Sequence, residues 1–430
     1  MCKRVAYSVV QLFYYHLSGI RIILSLQSLV GMVLLCLIGY VLSSNRRAIN
    51  WRIVLSAFLL QLLFGAFVLY VSFGKAFLET LANGVLAVLS SAESGIRFLF
   101  GDYAIDGPEF VFAIQVLPII VFFASLISVL YHLGIMERIV KIIGGFIQKI
   151  LGTTKAESMV AATNIFIGQS EAPIAIKPFL SKMTSSEIFA VMVCGMATVS
   201  GSVLGGYAAA GVEMKYLIAA SFMAAPAGLM MAKLIVPEDE SRNSDSFEID
   251  ENLLNERSVN VIDAAAKGAL QGLQLALSIG ALLLAFIGLI ALVNLIIGWL
   301  GGLFNFSGLS LQQILGFILQ PLAFLIGVPW DETRQVGSLL GQKLVLNEFI
   351  AYMDFVRSYQ GELRDRTEAI VTFALCGFAC FTSIAIVVGG IGLLVPEKRE
   401  IMTRLGLKAV AAATLANLMS ATVAGFFLSL

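Results

Sequence analysis

The chain has 430 residues, of which 59% are hydrophobic and 13% are charged, and its mean hydropathy is +0.91. A soluble protein of this size could not easily accommodate that balance on its surface, so the composition indicates a polytopic membrane protein. Its 28 basic and 28 acidic residues cancel, which argues against a nucleic-acid partner, while two histidines and five scattered cysteines argue against a catalytic triad, a zinc site or a disulfide framework.

The first 25 residues are too polar for a clean membrane span. They include Tyr7, Tyr14 and Arg21, and they lack the small-residue cleavage site of a signal peptide. We interpret residues 1–25 as an N-terminal extension that forms an interfacial helix. The alternative is an over-long start of the reading frame with no structural role.

Eight later segments are apolar enough to cross a bilayer, which takes about 20 mostly apolar residues. The predicted spans are 28–43, 53–73, 110–135, 188–208, 215–236, 275–299, 369–394 and 406–429.

The distribution of charge between the loops predicts an orientation. Segments 43–52, 136–155 and 396–404 are rich in Lys and Arg and favour the cytoplasm, whereas the acidic segment 74–109 favours the opposite side. Alternation of the spans then places both termini outside. The arginines of segment 356–368, which this orientation also places outside, weigh against it.

A strongly polar linker divides the chain into two halves. Residues 237–257 carry eight acidic residues from Glu238 to Glu256 against Arg242 and Arg257. Such a composition is typical of flexible chain, and we predict a solvated cytoplasmic connector.

Each half contains a glutamate deep in apolar sequence, a few residues after a Gly-Gln pair. These residues are Glu171 and Glu348, and a carboxylate is costly in a bilayer, so both indicate functional sites. In each half a span follows that contains C-G-x-A, small hydroxylated residues and a Gly-Gly pair, at 194–206 and 376–390. This order predicts an internal repeat, although chance similarity between small-residue helices is an alternative.

The segments around both glutamates are too short and too polar to cross the membrane. Pro173 cannot donate a backbone hydrogen bond and disfavours helix at Ala172, so the chain should break beside Glu171. We predict a re-entrant helical hairpin at 163–184, hairpin 1, and a second at 335–355, hairpin 2. Backbone groups freed at such breaks are available as ligands.

The two repeat units are entered from opposite sides of the membrane, so the repeat should be inverted, as in secondary transporters that bind their substrate near the midplane. The predicted fold is an all-α polytopic membrane protein with eight transmembrane helices and two opposed re-entrant hairpins. Its units are the scaffold helices at 26–135, the first repeat unit at 136–236, the acidic linker at 237–261, and a second half at 262–430 with the sixth span, the second repeat unit and the C-terminal helices.

Three motifs carry a resemblance to a known family, over residues 28–430. They are N-x-x-x-G-Q-[ST]-E-x-P at Asn164–Pro173, G-x-K-x-x-x-N-E-F-x-A-Y at Gly341–Tyr352, and A-L-C-G-F-A-x-x-x-S-I-A at Ala374–Ala385. The sequence resembles the concentrative nucleoside transporter family. That resemblance implies a homotrimeric symporter of the bacterial inner membrane, which imports nucleosides by alternating access on a sodium or proton gradient.

The resemblance also implies a set of substrate-binding residues. Gln169, Ser170 and Glu171 match positions that face the nucleobase, and Glu348 matches the carboxylate that holds the ribose hydroxyls. Phe378 matches an aromatic residue beside the ligand, and Ser383 matches a hydroxyl that also serves the ribose. The set is Gln169, Ser170, Glu171, Glu348, Phe378, Cys380 and Ser383. Cys380 stands where the family usually has Asn, and a thiol is a weak donor and acceptor, which predicts altered sugar recognition and an altered nucleoside range.

For the ion, the resemblance implies a sodium site. Asn164 and Thr198 match side-chain ligands, and Ile167 and Val199 match ligands that act through their backbone carbonyls. Uncharged oxygens suit a hard monovalent cation. Because both polar side chains are retained, we favour sodium as the coupling ion, with a proton-coupled transporter of nucleosides or modified nucleosides as the alternative, and we expect no cofactor.

Other interpretations of the same residues stay open. A channel would share midplane carboxylates, and a carboxylate-based intramembrane hydrolase is conceivable, but the chain has no HExxH and no GxSxG motif, so we predict that it is not an enzyme. Lys343 is interpreted as a snorkelling or pairing lysine. Cys376 and Cys380 would lie one helical turn apart on one face, a spacing explained by packing.

Overall fold

A computed structural model describes residues 2–102, 105, 107, 111–169, 171–239, 258–303 and 309–430, without the side chains of residues 2–21 and of Pro178. Every regular element among these residues is a helix. The main helices are α1 (Cys2–Val41), α2 (Trp51–Leu69), α3 (Ser72–Phe100), α4 (Phe112–His132), α5 (Ile135–Leu151), α6 (Lys155–Thr163), α7 (Lys177–Leu180), α8 (Ser185–Ala197), α9 (Gly201–Ala209), α10 (Met214–Ile235), α11 (Val261–Leu303), α12 (Leu311–Leu325), α13 (Thr333–Val345), α14 (Glu348–Ser358), α15 (Asp365–Leu375), α16 (Phe381–Leu394) and α17 (Arg399–Phe427).

Seven described helical segments are long and apolar enough to span a bilayer, and they overlap seven of the eight predicted spans. They are the Ile22–Val41 part of α1, then α2, α4, the α8–α9 segment, α10, α11 and α17. Most of the predicted acidic linker, residues 240–257, lies outside the described residues.

The acidic segment 74–109, treated in sequence as a loop, is largely the helix α3. Its buried residues include Leu78, Ala82, Leu89 and Ile96, which recur at helical spacing and line one face. The sequence of α3 is therefore amphipathic, and such a helix does not meet the criterion of about 20 mostly apolar residues in a row.

Two spans that sequence predicts as continuous are broken in the middle. The segment 188–208 is interrupted at residues 198–200, break 1, between α8 and α9, and the segment 369–394 at residues 376–380, break 2, between α15 and α16. The prediction that Cys376 and Cys380 lie on one helical face is therefore wrong, because no helix connects them.

The helices α4 and α11 form a closely packed pair. A Cβ atom at Gly272 on α11 would lie 2.7 Å from the Cβ of Ala124 on α4, so glycine is what allows the two backbones to approach. The hydroxyls of Ser125 and Ser128 donate across the pair to the carbonyls of Ala265 (2.9 Å) and Ala264 (2.7 Å). The remaining long helices pack elsewhere, with α1 and α2 against α10 and α17.

The two halves follow the same order of elements. In the first, α5 packs on α6, a short arm ends in α7, and a broken span α8–α9 precedes the long helix α10. In the second, α12 packs on α13, the short arm is α14, and the broken span α15–α16 precedes α17. This shared order supports the internal repeat predicted from sequence.

Candidate functional site

The first arm of hairpin 1 is α6, which begins at a capping box and lies N-terminal to the predicted start of this hairpin at residue 163. The Thr154 hydroxyl accepts from the Glu157 amide at 3.3 Å, and the Glu157 carboxylate accepts from the Thr154 amide at 3.0 Å. The helix then ends at Thr163, and a 3-10 turn at Ala172–Ile176, with Pro173 in its first turn, leads into α7. Residues 164–171 between the two arms are the tip of hairpin 1, where sequence predicts the break.

Hairpin 2 places Glu348 at the first position of α14. The Asn347 side chain accepts from the Ile350 amide at 2.8 Å and so caps this helix. The carboxylate therefore sits at the positive end of the α14 dipole, where a negative charge is favoured. It is 6% exposed, and the Tyr207 hydroxyl donates to its Oε1 at 3.0 Å.

Sequence reasoning did not identify Tyr207 as a site residue. Its ring packs on that of Tyr352, with 4.4 Å between the ring centroids, and it is fully buried. The only signal in the sequence is its place directly after the Gly-Gly pair of an otherwise apolar span.

Residues assigned to the base and to the sugar meet between hairpin 1 and the start of α16. Gln169 Nε2 donates to Ser383 Oγ at 3.2 Å, and Cys380 Sγ lies 3.3 Å from the same Oγ. Gln169 Oε1 is buried, and among the described residues it has no hydrogen-bond partner. The tip of hairpin 1 thus offers an unused acceptor beside two groups from break 2 and α16.

Phe378 lies in break 2 and is tied to break 1, because its amide donates to the Thr198 carbonyl at 3.2 Å. Ser170 lies outside the described residues. Glu171 is exposed into a cleft of about 250 Å³, which Tyr131 of α4, Gln271 of α11 and Ser200 of break 1 also line. The structure therefore separates Glu171 from the Gln169–Ser383 group and turns it towards the α4–α11 pair.

The predicted ion ligands lie around break 1 and the tip of hairpin 1. The amide of Gly201 donates to the Phe166 carbonyl at 2.9 Å and holds the two segments together. Asn164 has no exposed surface, and neither its Oδ1 nor its Nδ2 has a hydrogen-bond partner in the described part of the chain. The Thr198 hydroxyl donates to the Cys194 carbonyl at 2.9 Å, which leaves its oxygen lone pairs available.

This donor set consists of neutral oxygens. No group of three or more His, Cys, Asp or Glu that could hold a metal ion occurs among the described residues. Neutral amide, hydroxyl and carbonyl oxygens fit a monovalent hard cation, because they satisfy its coordination without a large excess of negative charge.

A buried polar junction that the sequence did not predict connects the two breaks. Lys343 Nζ donates to the Ala374 carbonyl and to Asn417 Oδ1, both at 2.8 Å. Asn417 Nδ2 donates to the Ala197 carbonyl at 2.6 Å and to the Cys376 carbonyl at 3.0 Å. Lys343 is 3% exposed, so it does not snorkel to the membrane surface. Among the described residues no carboxylate lies within ion-pair distance of its Nζ, and its side-chain partner is the Asn417 amide.

Sequence profiles of known families match three parts of the chain. The profile described as the C-terminus of Na⁺-dependent nucleoside transporters matches residues 216–425, and the profile of the N-terminus of these transporters matches residues 30–103. A profile described as nucleoside recognition matches residues 113–214.

Similar proteins occur in bacteria and in mammals. The chain is 51% identical over 417 residues to the nucleoside permease NupC of Helicobacter pylori, with 94% of this chain and 98% of that protein covered. It is 38% identical over 414 residues to the sodium/nucleoside cotransporter 1 of Mus musculus, with 93% of this chain and 63% of that protein covered.

The fold is similar to solved structures of CNTnw. The inward-facing, substrate-bound structure of that protein aligns with a TM-score of 0.89 at 51% identity and covers 94% of this chain and 98% of its own. A variant of CNTnw in an intermediate state aligns with a TM-score of 0.91 at 52% identity, with the same coverage.

Proposed function

The chain belongs to the concentrative nucleoside transporter family, and from that premise we propose that it is a sodium-coupled nucleoside importer that works by alternating access. As a member of this family it is a membrane transporter of nucleosides and not an enzyme.

The observation that carries sodium coupling is the buried side chain of Asn164. A buried polar group without a hydrogen bond costs about 1–3 kcal/mol, so an amide left in this state calls for a ligand. A sodium ion bound to Oδ1 offsets that cost. Thr198 Oγ1 is the second proposed side-chain ligand, and its segment is joined to the tip that carries Asn164 by the bond from Gly201 to Phe166. The carbonyls of Ile167 and Val199 complete the proposed set.

For the nucleoside, the proposal assigns the base to hairpin 1 and the ribose to hairpin 2. Gln169 Oε1 is an unused acceptor for a base N–H. Ser170 and Glu171 follow it in the sequence, and the proposal requires Glu171 to turn from its cleft towards the base. Glu348 keeps one carboxylate oxygen for the ribose hydroxyls while Tyr207 donates to the other. Such charge-assisted hydrogen bonds are stronger than those to an amide.

The remaining members of the proposed site come from break 2 and α16. Ser383 already accepts from Gln169 and can turn its hydroxyl to the ribose, Phe378 supplies an apolar ring, and Cys380 lines the wall beside Ser383. Phe378 and Cys380 lie in the unwound segment itself, and Ser383 lies in the first turn of the helix that follows it. This supports binding there, because the free backbone of such a segment is tolerated in a membrane only against protein or a wet cavity.

We further propose that hairpins 1 and 2 are re-entrant and enter the membrane from opposite sides. The position of Glu348 at a helix N-terminus and the pair of broken spans match the arrangement of transporters built from inverted repeats. In this scheme the hairpin-bearing helices move against the α4–α11 pair, and nucleoside and sodium favour one arrangement by binding it better than the other.

We also propose a homotrimer in the bacterial inner membrane, with one site per protomer and both termini outside. Support comes from α11, which exposes large apolar side chains along its length, such as Leu284 and Leu295 at 81% and 70% exposure. Surfaces of that kind require lipid or a partner subunit.

Uptake by proteoliposomes under imposed ion gradients tests the proposal. We expect an inward sodium gradient to drive saturable nucleoside uptake, with competition by a panel of purine, pyrimidine and modified nucleosides defining the range. Uptake driven by a proton gradient alone would support the proton-coupled alternative. Non-saturable nucleoside flux in the absence of both the sodium and the proton gradient would indicate a channel. Recovery of chemically altered nucleoside would indicate a hydrolase.

A further inference from the structure

One side chain from the last helix bonds to both broken spans. Asn417 of α17 donates from a single nitrogen, Nδ2, to the Ala197 carbonyl at the end of α8 and to the Cys376 carbonyl at the start of break 2. A backbone bond from the Phe378 amide to the Thr198 carbonyl lies beside it. The approach is close, because a Cβ atom at Gly377 would lie 2.7 Å from the Ala197 carbonyl oxygen.

The orientation of the Asn417 amide is set by Lys343. Nζ can only donate, so the group that it meets at 2.8 Å must be Oδ1, which directs Nδ2 to the two carbonyls. Lys343 belongs to α13, the first arm of hairpin 2, and it also donates to the Ala374 carbonyl near the end of α15. One buried network therefore joins hairpin 2, both broken spans and α17.

The two breaks carry different parts of the proposed site. Break 1 holds the proposed sodium ligands Thr198 and Val199, whereas break 2 holds Phe378 and Cys380 beside the nucleoside. A second connection runs through the tip of hairpin 1, from Asn164 along the chain to Gln169 and on to Ser383. Two connections reach the breaks themselves, the direct backbone bond from Phe378 to Thr198 and the Asn417–Lys343 network. The network is the one built from side chains, and every polar group in it is buried.

We propose that Asn417 and Lys343 are positioning residues that couple sodium binding to nucleoside binding. Sodium draws in the backbone oxygens of break 1, and the shared Nδ2 of Asn417 transmits that displacement to break 2, where it aligns Phe378 and Cys380 for the ribose. Neither side chain touches ion or nucleoside. This inference rests on the proposed sodium-coupled function, and linkage requires the effect to be reciprocal, so nucleoside must raise sodium affinity by the same factor.

The test measures that factor in purified full-length protein. Equilibrium binding of tritiated uridine and adenosine is titrated over a series of sodium concentrations, with choline as the replacement cation, and sodium affinity is measured with and without nucleoside. The first variant, Asn417→Asp, keeps an acceptor for Lys343 but removes the two hydrogen bonds that Nδ2 donates to the breaks. The second, Lys343→Met, keeps Asn417 but removes the ammonium group that fixes the orientation of its amide. The third variant, Asn417→Ser, replaces the amide with a shorter, uncharged side chain.

Thr422→Val is the matched control. Thr422 is fully buried on the same helix, and its hydroxyl donates only within α17, to the Leu418 carbonyl at 2.7 Å. The shape of the side chain is retained, and the change lies away from both breaks. A general loss of packing in α17 would lower stability in all the variants, whereas a loss of coupling is expected in the junction variants alone.

In the unchanged protein we expect sodium to raise nucleoside affinity by a factor typical of coupled sites, roughly 5- to 150-fold. The junction variants should lower this factor about fivefold or more, equally in both directions of the linkage, while Thr422→Val keeps it. Folded junction variants with the original factor would overturn the inference and leave the proposed function standing. An unchanged protein whose nucleoside affinity does not respond to sodium would overturn the proposed function, and this inference with it.

Discussion

The position of Glu348 follows from its own helix before any tertiary contact. Asn347 caps α14, so the next residue starts the helix with its carboxylate at the positive end of the dipole. Tyr207, 141 residues earlier in the chain, then fixes one of the two oxygens. The local sequence thus sets the position of the Glu348 carboxylate. The tertiary contact with Tyr207 determines which of its two oxygens remains available to a ligand.

Glu348→Gln should nearly abolish nucleoside uptake without preventing folding. The amide keeps the shape but loses the charge, and hydrogen bonds to a charged acceptor are worth about 1.5–3 kcal/mol. Nucleoside affinity should therefore fall roughly 10- to 150-fold. Equilibrium binding and uptake in proteoliposomes check this, with Glu79→Gln on the exposed face of α3 as a control expected to behave as the unchanged protein. Unimpaired uptake by Glu348→Gln would exclude the site assignment.

Cys380→Asn should change the preference among nucleosides more than the amount of protein expressed. The thiol lies 3.3 Å from Ser383 Oγ and 3.1 Å from Thr382 Oγ1, so an amide at this place would gain a strong donor and acceptor beside the ribose. We expect stronger discrimination against deoxynucleosides, measured by their competition with ribonucleoside uptake. Cys36→Ala on α1 is the control, and an unchanged order of competitors would contradict the prediction.

At the scale of elements, local chemistry predicts the hairpins but not the breaks. Asn347 and Pro173 lie where the second arms of the two hairpins begin, as such signals favour. The first arm of hairpin 1, α6, lies N-terminal to the predicted range 163–184. Proline alone is a weaker signal, since α10 continues through Pro226 and α12 through Pro321. Packing against neighbouring helices stabilises α10 and α12 despite these prolines, and a rule based on local sequence does not include that packing.

The breaks depend on contacts between residues far apart in the chain. Segments 188–208 and 369–394 are mostly apolar and contain no charged residue, so their sequence favours unbroken spans. What stabilises the open carbonyls of Ala197 and Cys376 is Asn417, which is 220 residues away from Ala197. An asparagine in the last apolar span is visible in the sequence, but its partners are not, and the same holds for Tyr207 and Glu348.

Asn347→Ala tests how far a helix cap controls the site. Loss of the cap costs about 1 kcal/mol of stability and lets the first turn of α14 fray, which displaces Glu348. We expect weaker nucleoside binding with little change in the sodium dependence, which is proposed to come from Asn164.

Ser310→Ala provides the comparison for this cap. Ser310 caps α12 in the same way, by accepting from the Gln313 amide at 3.2 Å, and it lies outside the proposed site. Both variants should lose a similar amount of thermal stability, measured as the melting temperature of the purified protein. Only Asn347→Ala should weaken nucleoside binding, and equal binding in the two would argue against the role of α14 in placing Glu348.

At the scale of the whole molecule, the α4–α11 pair meets the site-bearing helices through few elements. Its main contact outside the pair is α9, with smaller ones to α3, α5 and α12. The Glu171 cleft opens along the same boundary, between Tyr131 and Gln271 on one side and the tip of hairpin 1 on the other. A boundary that is both narrow and partly open is where the proposed movement would take place.

The surface of α9 at this boundary is smooth because it carries a Gly-Gly pair. A Cβ atom at Gly205 would lie 3.2 Å from a ring carbon of Phe123, and one at Gly206 would lie 3.3 Å from a side-chain carbon of Ile120. A larger side chain at either glycine would therefore disturb the packing between the α4–α11 pair and the site-bearing helices. If α9 slides along α4 during transport, a larger side chain on α9 will destabilise the two end states and the transition between them to different extents.

Gly205→Leu should therefore reduce transport more than binding. Overpacking at a tight contact costs typically about 1–3 kcal/mol, and about 1.4 kcal/mol of it acting on one arrangement alone changes the rate or population roughly tenfold. We expect uptake in proteoliposomes to fall about tenfold while equilibrium nucleoside binding to the purified protein changes little. Gly145→Leu on α5, where an added Cβ meets no atom within 4 Å, should leave both unchanged. A parallel loss of binding and uptake in Gly205→Leu would mean that α9 supports the site itself and would contradict a sliding boundary at α4.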